Sequence, residues 1–131
     1  MTTWFTRDPE RLAIETALME RGTRAVLRRT ATDLMWVEDV RSTATGQLFT
    51  LAITYPERFP FEAPRGFIMN PGIVGGAPHR FGDGSLCLFP DPRLADGPKT
   101  TALVVRNRAV VWFLAYEVWR VTGEWMAPQA H

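Results

Sequence analysis

The chain carries one cysteine, Cys87, and two histidines, His79 and His131, so its options for thiol and imidazole chemistry are few. Cys87 lies in the stretch Pro78 to Pro92, which reads PHRFGDGSLCLFPDP. A Gly82-Asp83-Gly84 turn leads into the apolar run Leu86-Cys87-Leu88-Phe89, and Pro90-Asp91-Pro92 then breaks it. A brief extended segment between two tight turns tends to present its side chains, so the pattern predicts an accessible thiol. Such a thiol is a nucleophile through its thiolate, a few per cent of the population near neutral pH for an ordinary pKa of about 8.5. The plainer reading of Cys87 is a small buried apolar residue on a strand. A Cys-His hydrolase built from Cys87 and His79 would need a third residue to orient the imidazole. None is identifiable, and the pair straddles a glycine turn. Cys87, His79 and His131 are too few, and lack the spacing, for a metal site, so neither metal nor other cofactor is expected.

The elements that must position this stretch follow from periodicity. Asp8-Pro9-Glu10 has an N-cap aspartate and a proline at the first helical position. Leu12, Ala13, Ala17 and Leu18 then recur at helical spacing, with Arg11, Glu15, Glu20 and Arg21 on the other, solvated side. This predicts one amphipathic helix over Pro9–Arg21, stopped by Gly22. From Arg24 the period shortens. Ala25-Val26-Leu27, then Leu34 to Val40, then the alternating Phe49, Leu51 and Ile53 read as strands. Ser42 to Gly46 is turn material, so the last two should pair as a hairpin. Tyr55 to Pro64 has three prolines within nine residues and cannot be a central strand or helix. It predicts a stiff crossover anchored by Tyr55, Phe59 and Phe61. Gly66 to Met69 is a fourth strand ended by Pro71, Gly72 to Gly76 a connector, and Arg93 to Pro98 a loop. Thr100 or Thr101 caps a final helix running to Thr122 before Gly123. Val111, Leu114, Val118 and Val121 mark one of its faces, and Trp112, Tyr116 and Trp119 a neighbouring one; Glu117 and Arg120 form its exposed pair. A helix this apolar is buried against the sheet or meets a partner, which leaves open a homodimer through the aromatic stripe. The expected fold class is α+β, with an N-terminal helix, a four-stranded antiparallel meander, a proline-rich crossover with the cysteine loop, and a C-terminal helix packed on the sheet.

Composition narrows the partners. At 131 residues, 46% apolar and 22% charged, the chain has the make-up of one ordinary domain spanning 1–131. A net charge of +1 advertises neither nucleic acid nor an anionic membrane surface. No apolar run approaches the length needed to span a bilayer, the N-terminus lacks the layout of a signal peptide, and a lone cysteine suits a reducing compartment, so the expected location is cytoplasmic.

The order of these elements resembles that of the ubiquitin-conjugating enzyme (UBC) fold, and two motifs extend the likeness. YPERFPFEAP, from Tyr55 to Pro64, is similar to the Tyr-Pro/Phe-x-x-Pro element before that family's fourth strand. In PHRFGDGSLCLF, residues Gly84, Ser85, Leu86, Cys87 and Leu88 match the Gly-Ser/Thr-Ile/Val-Cys-Leu core of its active-site run. Upstream the chain departs from the family's His-Pro-Asn: Ala77 stands at the histidine, Pro78 at the proline and His79 at the asparagine. The short ending Val121 to Trp125 resembles the compact bacterial members encoded in antiphage and ubiquitin-like modification operons, including cyclic-oligonucleotide signalling (CBASS) systems. The resemblance implies a conjugating transferase. Cys87 would accept the C-terminus of a ubiquitin-like modifier, or of a cyclic-oligonucleotide synthase, as a thioester from a ubiquitin-activating-like enzyme. It would then pass the acyl group to an amine on a target protein. His79 would donate to the oxyanion, act as a base or tie the loop together, with Gly84 and Ser85 as possible backbone donors. Asp83 and Asp91 would orient the amine, or simply form turns. A UBC-fold module that binds a partner without chemistry is the alternative; inactive relatives typically lack the cysteine.

Overall fold

The computed structural model describes residues 3–89 and 91–126; Pro90 and His131, weighed above, lie outside them. In chain order the elements are α1 (Trp4–Arg7), α2 (Pro9–Gly22), β1 (Val26–Arg29), β2 (Leu34–Arg41), β3 (Leu48–Thr54), β4 (Arg65–Asn70), a 3-10 turn (Pro92–Ala95) and α3 (Ala102–Thr122). The four strands form one antiparallel sheet in the order β1-β2-β3-β4. The α+β architecture expected from periodicity is therefore present, with helices at both ends of the chain.

Asp8 caps α2 by accepting the Arg11 N–H at 3.0 Å, and Pro9 opens the helix. The short α1 before it was not anticipated; its Trp4 and Phe5 are buried with Leu34 and Phe59 in a small cluster of their own. The expected faces of α2 hold only in part: Glu20 and Arg21 are exposed, but so are Ala13 and Ala17 of the apolar side. Ile14 is exposed, whereas Glu15 is 1% exposed. Glu15 goes inside because donors converge on it: the Tyr55 hydroxyl at 2.8 Å, the Ala102 N–H at 2.8 Å and the Arg11 Nε at 3.4 Å. Tyr55 in turn accepts the Trp36 Nε1–H at 3.0 Å. Burial raises the Glu15 pKa above its ordinary value, although these hydrogen bonds and Arg11 pull the other way. Tyr55 stays protonated, its pKa pushed up by burial and by the Glu15 charge.

Ser42 closes the β2–β3 hairpin by accepting the Ala44 and Thr45 N–H groups, with Gly46 at φ 76° supplying the left-handed residue. Phe49, Leu51 and Ile53 of β3 are buried as expected, and the rings of Phe49 and Phe113 stack at 3.8 Å. Each such side chain contributes about 1.5–3 kcal/mol on full burial. Ala52, between Leu51 and Ile53, is 1% exposed as well, so the strand is not buried on one face alone. In the proline crossover Tyr55 and Phe59 do anchor, their rings 4.7 Å apart, but Phe61 is 69% exposed and anchors nothing.

Thr101 caps α3 through the Val104 N–H, and Gly123 ends it at φ 78°. The face that goes inward carries Ala102, Val105, Ala109, Trp112, Phe113 and Tyr116. Two members of the aromatic stripe are thus core, and Trp119 is half-buried beside them. The valine face is the outward one, with Val111 and Val121 exposed. Glu117 is not free in solvent either, since it accepts the Thr45 hydroxyl. Arg106 binds the nearly buried Glu38 of β2 through Nε and Nη2 at 2.8 and 3.0 Å, and the Arg24 N–H completes that carboxylate at 3.1 Å. Helix, sheet and the start of β1 are locked together at this one point.

Candidate active site

Beyond β4 the chain folds back on itself as an irregular hairpin. Arg80 and Leu86 form a bridge, the Phe81 N–H donates to the Ser85 carbonyl at 2.9 Å, and the Gly84 N–H to the Phe81 carbonyl at 3.0 Å. Gly84 has φ 90°, a conformation that favours glycine and turns the chain. Asp83 braces the same turn, accepting the Ser85 N–H at 2.9 Å and the Ser85 hydroxyl at 2.6 Å. Those bonds, then the Arg65 guanidinium at 3.1 Å, hold its pKa below the usual carboxylate value. The returning limb is fastened to the sheet by the Leu86 N–H, which donates to the Gly66 carbonyl of β4 at 2.8 Å.

Cys87 and His79 meet through the main chain: the Cys87 N–H donates to the His79 carbonyl at 2.8 Å. The accessible thiol expected from the flanking turns is not what forms. Cys87 is 3% exposed, between Leu86 and Leu88, which pack into the core. Burial alone pushes the thiol pKa above its ordinary value. His79 has φ 60°, left-handed for a residue other than glycine, in a region where histidine, asparagine and aspartate are enriched. That backbone turn aims its carbonyl at two donors, the Cys87 N–H and the Trp112 Nε1–H at 3.0 Å. Its ring lies 4.8 Å from that of Trp125. Asp91 opens the 3-10 turn by accepting the Arg93 N–H at 3.0 Å, and its carboxylate is paired with the Arg93 guanidinium. Those bonds hold Asp91 below the ordinary carboxylate pKa. Both aspartates therefore have the turn-forming role as their visible occupation.

Sequence reasoning did not assign α3 to the site, yet three of its side chains bind this region. Arg108 Nη1 donates to the Leu88 carbonyl at 3.0 Å, and its guanidinium lies 4.3 Å from the Phe89 ring centroid. Trp112 holds the His79 carbonyl, and the Tyr116 hydroxyl accepts the Val74 N–H at 3.1 Å. The signal was present as the i, i+4, i+8 spacing of Arg108, Trp112 and Tyr116. Beside the segment runs a groove of about 500 Å³ lined by Pro64, Arg65, Phe81, Leu86 and Phe89 among others. Cys87 and His79 are not among its lining residues.

Comparison with known families returns a match to the profile described as type II CBASS E2 protein, over residues 15–131. The chain belongs to that family. The matched span of this CBASS E2 protein begins at the buried Glu15 and takes in the whole sheet, the crossover, the cysteine hairpin and α3. It leaves out α1 and the first turns of α2. No curated protein matches the chain. Among the described residues of this CBASS E2 protein, no group of three or more His, Cys, Asp or Glu side chains is placed to hold a metal, and no helix is long and apolar enough to cross a membrane.

Proposed function

We propose that this CBASS E2 protein is a conjugating transferase of antiphage defence that carries an acyl group on Cys87. In the first step the Cys87 thiolate attacks the thioester carbonyl that joins a ubiquitin-activating-like enzyme to the C-terminus of its cargo. The cargo is a ubiquitin-like modifier or a cyclic-oligonucleotide synthase. The new C–S bond forms, and the activating enzyme's thiol leaves and is protonated. In the second step an amine of the target protein attacks the Cys87 thioester, an amide forms, the thiol of Cys87 leaves, and the ammonium proton is lost to solvent or a nearby base. Because the incoming carbonyl is already a thioester, an ordinary or even a raised thiol pKa is compatible with exchange.

The observation that carries this reading is the placement of the chain's one cysteine within the family match, in a Gly-Ser-Leu-Cys-Leu segment pinned by backbone bonds to β4 and to His79. Those bonds fix the position of the nucleophile's backbone, which is what reproducible attack on a large acyl donor requires. One observation favours a second reading, a partner-binding module without chemistry: the thiol is buried and its pKa is raised.

A single experiment separates the two. The protein is incubated with a ubiquitin-activating-like enzyme, the modifier or synthase, and ATP, and adducts are resolved with and without reducing thiol. The transferase reading expects a thiol-sensitive adduct on the wild type that is absent from Cys87→Ala. No adduct, or one that persists in Cys87→Ala, rejects Cys87 as the acyl carrier.

A further inference from the structure

The end of the described chain packs on the two residues that hold the Cys87 segment, His79 and Trp112. After α3, the Gly123 N–H returns to the Trp119 carbonyl at 2.8 Å, and the Glu124 N–H donates to the Thr122 hydroxyl at 3.1 Å. The left-handed Gly123 reverses the chain and brings Trp125 back against the site. The Trp125 ring lies 4.8 Å from that of His79 and, edge-on, 5.2 Å from that of Trp112. These are the residues that hold the cysteine segment, since the His79 carbonyl accepts both the Cys87 N–H and the Trp112 Nε1–H. Glu124 and Met126 are exposed, so Trp125 is the residue of the three that turns inward. The thiol, with 3% exposure, cannot meet a carbonyl carbon on a macromolecular donor in this arrangement.

We propose that Gly123–Met126 is a clasp: with Trp125 seated on His79 and Trp112 the Cys87 thiol is closed off, and swinging about Gly123 lifts Trp125 and opens it. The functional meaning of the opening rests on the reading of Cys87 as an acyl acceptor. The occlusion itself does not. The hinge is a glycine already in the left-handed region, and the segment's backbone bonds named above lie within the last turn of α3.

The test is native-state alkylation of Cys87 by iodoacetamide, read by mass spectrometry; with one cysteine in the chain, one adduct reports one site. Rates are compared as full pH profiles, so that a changed pKa is not read as changed access. Trp125→Ala is expected to react about tenfold faster or more, and Trp125→Phe, which keeps a ring on His79, within about twofold of wild type. Equal rates for wild type and Trp125→Ala, or equal acceleration by both substitutions, overturn the clasp. Wild-type protein supplies the control for variants that fail to fold. Local opening exposes little surface, so its alkylation rate should be flat in low urea. A rate that climbs with the full urea dependence of global unfolding overturns the proposal. The adduct assay keeps the two readings apart. Clasp-limited alkylation without any thioester leaves the cover and removes the transferase, whereas a thioester with Trp125-independent alkylation does the reverse.

Discussion

His79 shows how much one backbone angle does at this site. Its φ of 60° lets a single carbonyl hold both Cys87 and Trp112. A non-glycine residue in that conformation stores about 1 kcal/mol or more of strain. His79→Gly should therefore fold at least as stably as His79→Ala, by roughly 1 kcal/mol in chemical denaturation. If the ring acts in the second transfer, both variants form the adduct and discharge it slowly; unchanged discharge in a single-turnover assay removes the imidazole from the chemistry. Trp112→Phe keeps the ring and deletes the donor, leaving the His79 carbonyl short of one bond. It is expected to cost about 1–3 kcal/mol in the same unfolding experiment. The thiol itself makes a pH prediction. Burial favours the neutral form, so the alkylation rate of Cys87 should still be rising at pH values where an exposed thiol has levelled off. A midpoint at or below that of free cysteine contradicts the burial described for it. The sequence made Cys87, Gly84 and the Asp83 turn legible, because turn chemistry is local. It misjudged the thiol's exposure, because burial is a property of the assembled sheet and helix that local turn chemistry does not carry.

Between elements, two buried carboxylates do most of the fastening. Glu15 joins α2, the end of β3 and the first N–H of α3, and Glu38 joins β2, α3 and the approach to β1. Removing either by alanine leaves buried donors without an acceptor, at an expected cost of about 3 kcal/mol. For Glu38 a double-mutant cycle with Arg106→Ala checks this, since losing both partners should cost less than the sum of the single losses. Glu15 adds a pH signature. Its folded pKa is raised, so the native state holds that proton more tightly than the unfolded chain does. Its contribution therefore falls as pH rises from about 4.5 through the folded value. Glu15→Gln lacks this term, and its melting temperature minus that of wild type should increase with pH across that window; a difference that is flat or decreasing contradicts the raised pKa. Helix and strand positions were readable from period and caps to within a residue or two, and the Asp8, Thr101 and Gly123 signals all mark real ends. The inward face of α2 was not readable, because a glutamate among charged neighbours looks solvated until three elements converge on it. The valine face of α3 failed for a related reason: aromatic volume, not valine spacing, decides which side meets the sheet.

Across the whole molecule, order is graded from the sheet outward. The β2 and β3 strands are paired along their length and covered by α3, whereas residues 71–85 depend on a few isolated bonds. Hydrogen exchange should be slowest in β2, β3 and the inward face of α3, and measurably faster from Ile73 to Gly84. Equal protection in both regions would mean that the cysteine hairpin opens only with the global fold. The Leu86 N–H, bonded to the Gly66 carbonyl, has one more consequence. β4 is an outer strand, and an outer strand is a template for unwanted pairing with another chain. The cysteine limb takes up that template at Gly66, while the opposite margin at β1 carries the exposed Arg28 and Arg29. The segment that bears Cys87 thus also shields part of the sheet's margin, and a change that frees it to move should lower solubility along with altering the thiol's access.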